Sequence, residues 1–114
     1  MTFSLLARCP DTRRFGMVNS SSSPAVAARC AHARAGVGVA ASQNITDPVL
    51  GPALLDRMTR GMTAAEAMAD VVSATSHIAY RQLMAVDAQG RVASHSGANT
   101  LGVWAVAEGQ GVVA

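Results

Sequence analysis

With 114 residues, half of them apolar, only 4% aromatic and a net charge of +2, the chain is long enough for one domain with a modest core. All its basic residues are arginines, scattered from Arg8 to Arg91 with no basic stripe interleaved by aromatics, which argues against nucleic acid as a partner. No run approaches the roughly 20 apolar residues that span a bilayer, and no secretory signal opens the chain, so no membrane partner is expected and the expected location is the cytoplasm.

In chain order, Thr2 to Arg8 reads as an apolar strand, Cys9-Pro10-Asp11-Thr12-Arg13-Arg14 as a polar turn, and Phe15 to Ser23 as a returning strand. Ser20 to Pro24 forms a polar loop, and the alanine-rich Ala25 to Arg34 reads as a helical turn or an irregular crossing. Ala35 to Ser42 alternates glycine with valine and is expected to be a third strand, its glycines marking a close approach of another backbone or a ligand. Beyond the loop Gln43 to Asp47, Asp47 caps a helix whose Leu50, Leu54 and Met58 share one face, and Gly61 ends it. Thr63-Ala64-Ala65-Glu66 is a capping box, and Ala65, Met68, Ala69 and Val72 are expected to line the buried face of the next helix. Gln82 to Asp87 and Arg91 to Ser96 read as a hairpin, Val103 to Ala107 as a further strand, and Val112 to Ala114 as the start of one more. Strands, then two helices, then strands imply an α+β fold with helices covering one sheet face.

Several side chains invite a chemical reading. Cys9 and Cys30 lack metal-type spacing; they allow one disulfide but read as buried or idle thiols in a reducing cytoplasm. The histidines are too scattered for a metal signature, and Gly36-Val37-Gly38 lacks the third glycine of a dinucleotide fingerprint, so no metal and no cofactor are expected. His32 and His77 read as surface groups, while His95, beside serines near a strand end, reads as a structural histidine or a substrate contact. Thr2, one residue behind the initiator methionine, places a hydroxyl where a freed α-amino group would titrate near neutral pH and act as its base.

Met1-Thr2-Phe3-Ser4, Ala33-Arg34-Ala35-Gly36-Val37-Gly38, the Gly51-Pro52 pair, and Arg81-Gln82-Leu83 running into Val86-Asp87-Ala88-Gln89-Gly90-Arg91-Val92-Ala93 together resemble one bacterial family. It is the domain-of-unknown-function family one-thousand-twenty-eight, regarded as N-terminal-nucleophile (Ntn) hydrolase-like, and the resemblance covers essentially the whole chain. Its members run about twice as long, so this chain resembles their N-terminal half. The resemblance implies a four-layer αββα sandwich, with the active site at the sheet ends. It also implies hydrolysis of an amide bond in a small amide, ureido or peptide substrate by a terminal Thr, Ser or Cys.

Carried over position by position, the resemblance makes Thr2 the nucleophile once Met1 is removed. Asn19 and Ser20 would orient the amine, and Arg34 would stand where related threonine hydrolases use a lysine. Arginine keeps the positive charge but shuttles no proton, so that role becomes electrostatic. Ser42 and Gln43, between strand and helix, would offer backbone N–H groups as an oxyanion hole, with the neighbouring Asn44 a further oxyanion or substrate contact. Ser94-His95-Ser96-Gly97 is similar to a His-Thr-Gly element of the family, with serine in place of threonine. A second version makes Ala114 a processing site, the chain an α chain, and the nucleophile the first residue of a β chain from the same precursor, in a higher oligomer. A third is a non-catalytic interaction subunit that keeps the fold.

Overall fold

The protein was analysed as a computed structural model, which describes residues 1–114. Its centre is a pair of antiparallel strands, β4 (Gly38–Asn44) and β5 (Arg81–Asp87), aligned from Gly38 opposite Asp87 to Asn44 opposite Arg81. Strands β3 (Ala31–Arg34) and β6 (Val92–Ser96) flank them in a middle sheet of order β3-β4-β5-β6. A second sheet holds the hairpin β1 (Thr2–Arg8) and β2 (Phe15–Ser21) with β7 (Glu108–Gly109) and β8 (Val112–Val113), in the order β2-β1-β8-β7. Helices α2 (Leu50–Thr59) and α3 (Ala64–Ala74) cover the other face of the middle sheet, and a four-residue α1 (Ala27–Cys30) leads into β3. The fold is α+β, with two antiparallel sheets and three helices.

Both central strands are buried on both faces, which explains why neither reads as a clean alternation of apolar and polar residues. Ala40, Leu83 and Ala85 face the helices and meet Leu50, Leu54, Leu55, Met58, Ala67, Met68 and Val71. Val39, Ala41, Met84 and Val86 face the second sheet and meet Leu6 and Val113. Each of these leucine, methionine and valine side chains withdrawn from water contributes about 1.5–3 kcal/mol, and each alanine methyl less. Small side chains dominate because the layers sit close. At Gly38 an added Cβ would lie 2.5 Å from the Val86 carbonyl and 3.0 Å from Met58 Cε, the close approach expected of a strand glycine.

Several sequence expectations are corrected. The third strand begins at Gly38, because Gly36 at φ +72° turns the chain, and a strand precedes it over Ala31–Arg34 where a helical turn or irregular crossing was expected. Alanine is a weak strand former, and pairing with β4 decides its conformation. Val103 to Ala107 is an irregular segment and not a strand, joined to the sheet by paired hydrogen bonds between Ala107 and Ala114 and by Val106 against the inter-sheet core. On α3 the buried face is Ala64, Ala67, Met68 and Val71, whereas Ala65 and Ala69 are exposed. An alanine-rich helix offers two apolar stripes, and docking selects between them. His32 is half-buried against α2, where its ring fills the space a side chain at Gly51 would need. The α2 helix opens at Leu50, two residues after Pro48, although Asp47 Oδ1 still accepts the Val49 amide at 3.2 Å. The Leu50, Leu54 and Met58 stripe, the positive φ at Gly61 and the Thr63–Glu66 capping box are as expected. No helix is long and apolar enough to cross a membrane.

Asp87, 3% exposed at the end of β5, ties three elements together. Its carboxylate accepts the Ala64 amide at the start of α3 (3.1 Å), the Gln89 amide of the following turn (2.8 Å), and Arg91 through both its amide (3.1 Å) and Nε (2.7 Å). Burial alone would raise its pKa, but the hydrogen bonds from Ala64, Gln89 and Arg91 outweigh it and hold the carboxyl below its ordinary value. A depressed folded-state pKa contributes stability that is complete above the unfolded value of about 3.9 and is lost as pH falls through the folded one. Asp87→Asn is therefore expected to cost roughly 2 kcal/mol near neutrality, by denaturant unfolding. Its deficit relative to the parent should shrink below about pH 4; a deficit unchanged down to pH 2 would contradict this assignment.

Candidate functional site

The two sheets part where β1 begins, β2 and β4 end and β5 begins, and a cleft of about 510 Å³ opens there. Alternation along β1 aims Thr2, Ser4 and Leu6 inward, so the inter-sheet core turns from apolar to polar over its last two rows. Asn19 Nδ2 donates to Ser4 Oγ (2.5 Å), which donates to Gln43 Oε1 (2.6 Å). Gln43 Nε2 then donates to Gln82 Oε1 (2.7 Å), and Gln82 Nε2 to Ser96 Oγ (3.1 Å). This relay crosses both sheets because its members are cross-strand partners: Ser4 opposite Asn19, and Gln43 opposite Gln82 opposite Ser96. Every link is made, which is what makes such a polar row tolerable inside a core.

Thr2 stands at the mouth, its Oγ1 2.9 Å from Ser21 Oγ. The Met1 amine donates to Ser22 Oγ at 3.0 Å. The facing wall is the irregular segment from Leu101 to Ala107, which brings Leu101, Val103 and Trp104 to the rim. Asn44 holds that wall: its Nδ2 donates to the Leu101 carbonyl (3.2 Å), and its Oδ1 accepts the Leu101 amide (3.0 Å). To do so it adopts φ +73°, a left-handed conformation that asparagine tolerates better than most residues. None of the fifteen lining residues carries a charged side chain.

Of the residues singled out from sequence, the structure brings together Thr2, Asn19, Gln43 and Asn44, with Ala114 also on the cleft wall. Gln43 contributes its carboxamide rather than its backbone, and Asn19 addresses Ser4. Four others lie elsewhere. Ser20 is opposite Phe3 on the outward face of the hairpin, and the inward neighbour of Thr2 is Ser21. Ser42 and His95 flank Leu83 in one cross-strand row, and Leu83 packs under the helices, so both turn away from the cleft. Ser42 Oγ and His95 Nε2 are buried there without hydrogen-bond partners. Arg34 lies at the opposite end of the middle sheet, paired with Asp56 (2.8 Å) and donating to Thr59 (2.8 Å), so it supplies no charge to Thr2.

Sequence reasoning missed Ser21 and Gln82, and marked Ser96 only through the Ser94–Gly97 element of the family resemblance. Gln82 carried a usable signal, since it falls in phase with Met84 and Val86 on a strand that is otherwise apolar. Asn44→Ala removes both bonds to Leu101 and leaves a Cβ at positive φ, an expected loss of roughly 2 kcal/mol with faster hydrogen exchange at the Leu101 amide. Asn44→Gly removes the bonds without the backbone strain, so it should show the same faster exchange at a smaller stability cost; unchanged exchange in both variants would refute the clamp.

The model of a family of unknown function, DUF1028, matches residues 2–114. The fold is similar to the crystal structure of protein SPO2555 from Silicibacter pomeroyi, assigned to the same family model, with a TM-score of 0.94 and 27% sequence identity. The match covers 98% of this chain and 52% of that one, so the chain spans about half the length of that solved relative. No curated protein matches it. Matched from its second residue to its last, the chain belongs to the family of unknown function DUF1028.

Proposed function

We propose that this chain is part of an Ntn-type amide hydrolase whose nucleophile is Thr2, exposed by removal of Met1. The observation that carries the reading is the position of the Thr2 hydroxyl, at the mouth of the cleft and 2.9 Å from Ser21 Oγ. The freed α-amine, with an ordinary pKa near 7.7–8.0, takes the hydroxyl proton as Oγ1 attacks the amide carbonyl carbon. The C–N bond then breaks, the departing nitrogen takes the proton from the ammonium, and an ester to Thr2 remains. Water, deprotonated by the same amine, hydrolyses that ester and regenerates the hydroxyl. Each glutamine NH₂ in the relay spends one of its two donors on its neighbour and keeps one for a substrate carbonyl.

The uncharged lining argues for a neutral amide, ureido or peptide group as substrate. A carboxylate or ammonium pressed against these walls would lose hydration and meet no charged side chain. In the four-layer version of the fold, a further helical layer from a β chain of the same precursor covers the outward face of the hairpin, where Phe3 and Val18 are 56% and 59% exposed. A second reading keeps the reaction but puts the nucleophile on the residue following Ala114, favoured by Ala114 lining the same cleft.

Intact-mass analysis with a hydroxyl-directed electrophile, alongside amine release from a panel of neutral amides, tests the proposal. The expected result is loss of Met1, one adduct mapping to Thr2, and a fall of at least about 10³-fold in turnover for Thr2→Ala. An adduct on a terminus after Ala114 moves the nucleophile there. Full turnover with Met1 retained removes Thr2 from the mechanism, and the absence of any adduct or turnover leaves the non-catalytic subunit.

A further inference from the structure

At the other end of the sandwich, three β-turns converge: Cys9 to Arg14 between β1 and β2, Ala35 to Val37 between β3 and β4, and Ala88 to Gly90 between β5 and β6. They enclose a second cleft of about 320 Å³, lined by Arg8, Arg13, Phe15, Gly36, Ala88 and Gln89. Arg8 and Thr2 are six residues apart on one extended strand, so the two clefts lie roughly 20 Å apart.

The chemistry of this end is the reverse of the first. The ion pairs of the chain are Arg34 with Asp56, Arg57 with Asp70, Arg81 with Asp47, and Arg91 with Asp87, and none involves Arg8 or Arg13. No carboxylate lines the cleft. Arg8 is half-buried, extending beside the turn glycine Gly90, and its Nε is buried without any hydrogen-bond partner. A guanidinium presents its donors in a fixed planar fork matched to two oxygens on one centre. Two such groups with no internal acceptor, on a concave surface formed by rigid turns, make a receptor for an anion.

We propose that this cleft binds a small oxyanion, a carboxylate or a phosphate, through Arg8 and Arg13, at a site separate from the cleft at Thr2 and independent of any reaction there. Arg8, anchored through its backbone amide to the Gly111 carbonyl (2.9 Å), is the fixed arm of the site. Arg13, exposed in the hairpin turn, is the second arm. Phe15 supplies an apolar wall for whatever carbon skeleton carries the anion.

Titration calorimetry with inorganic phosphate, adenosine monophosphate and succinate, at low ionic strength, tests the site. At least one of the three is expected to bind with a dissociation constant of about 1 mM or tighter, weakening as sodium chloride is added. Succinate binding alone assigns a carboxylate, and phosphate or the nucleotide binding alone assigns a phosphate; either supports the site. Arg8→Gln and Arg13→Gln should each weaken the binding at least about tenfold, while Arg29→Gln, on α1, leaves it unchanged. Arg13 lies in an exposed turn, so its variant reports even if the Arg8 variant unfolds. No binding of any of the three at about 10 mM, or equal binding by the Arg13 and Arg29 variants, overturns the proposal.

Discussion

The fold depends on the pairing of β4 with β5, which is enclosed between helices on one side and a second sheet on the other. Two strands buried on both faces must satisfy their backbone groups within the sheet and present side chains that are small, apolar or held by hydrogen bonds within the protein. That requirement explains the run Gly38-Val39-Ala40-Ala41, the alanines at 85 and 93, and the glycine that lets Met58 and the Val86 carbonyl close in. It also explains Asp87. A carboxylate at the end of so enclosed a strand survives only with its oxygens taken up, and here they organise the start of α3 and the following turn.

The candidate site arises where that enclosure relaxes. Along β1, β4 and β5 the inward positions run from Leu6, Ala41 and Met84 to Ser4, Gln43 and Gln82, so the same alternation that builds the core builds the polar relay. A closed chain of neutral hydrogen bonds is rigid and carries no net charge, which suits a floor against which a neutral group is positioned. The clamp from Asn44 to Leu101 adds the facing wall, drawing an apolar segment over the opening. Polar floor, apolar rim and hydroxyl at the mouth thus come from five strands and one irregular segment.

The two ends of the sandwich differ in kind. Neutral side chains line the cleft at Thr2, whereas the turn-lined cleft at the other end holds arginines without partners. Arg34, which the family resemblance suggested as the electrostatic partner of Thr2, belongs to the arginine-rich end and is paired with Asp56. The region around Thr2 therefore owes its electrostatics to hydrogen-bond dipoles and the terminal amine rather than to a cationic side chain.

Local patterns were enough for whatever depends on near neighbours along the chain. The β1–β2 hairpin, the stripe on α2, the capping box of α3, the β5–β6 hairpin and the family resemblance all follow from adjacent residues, and so does the placement of a hydroxyl at residue 2. Tertiary structure alone decided which of two alanine stripes on α3 is buried, that Ala31–Arg34 is a strand, and that Val103 to Ala107 is a wall. It also decided on which face of β4 and β6 Ser42 and His95 fall. The physical reason is common to these cases. An alanine fits helix or strand, and a strand side chain faces core or cleft according to a register set by partners tens of residues away, information that periodicity within one segment does not carry.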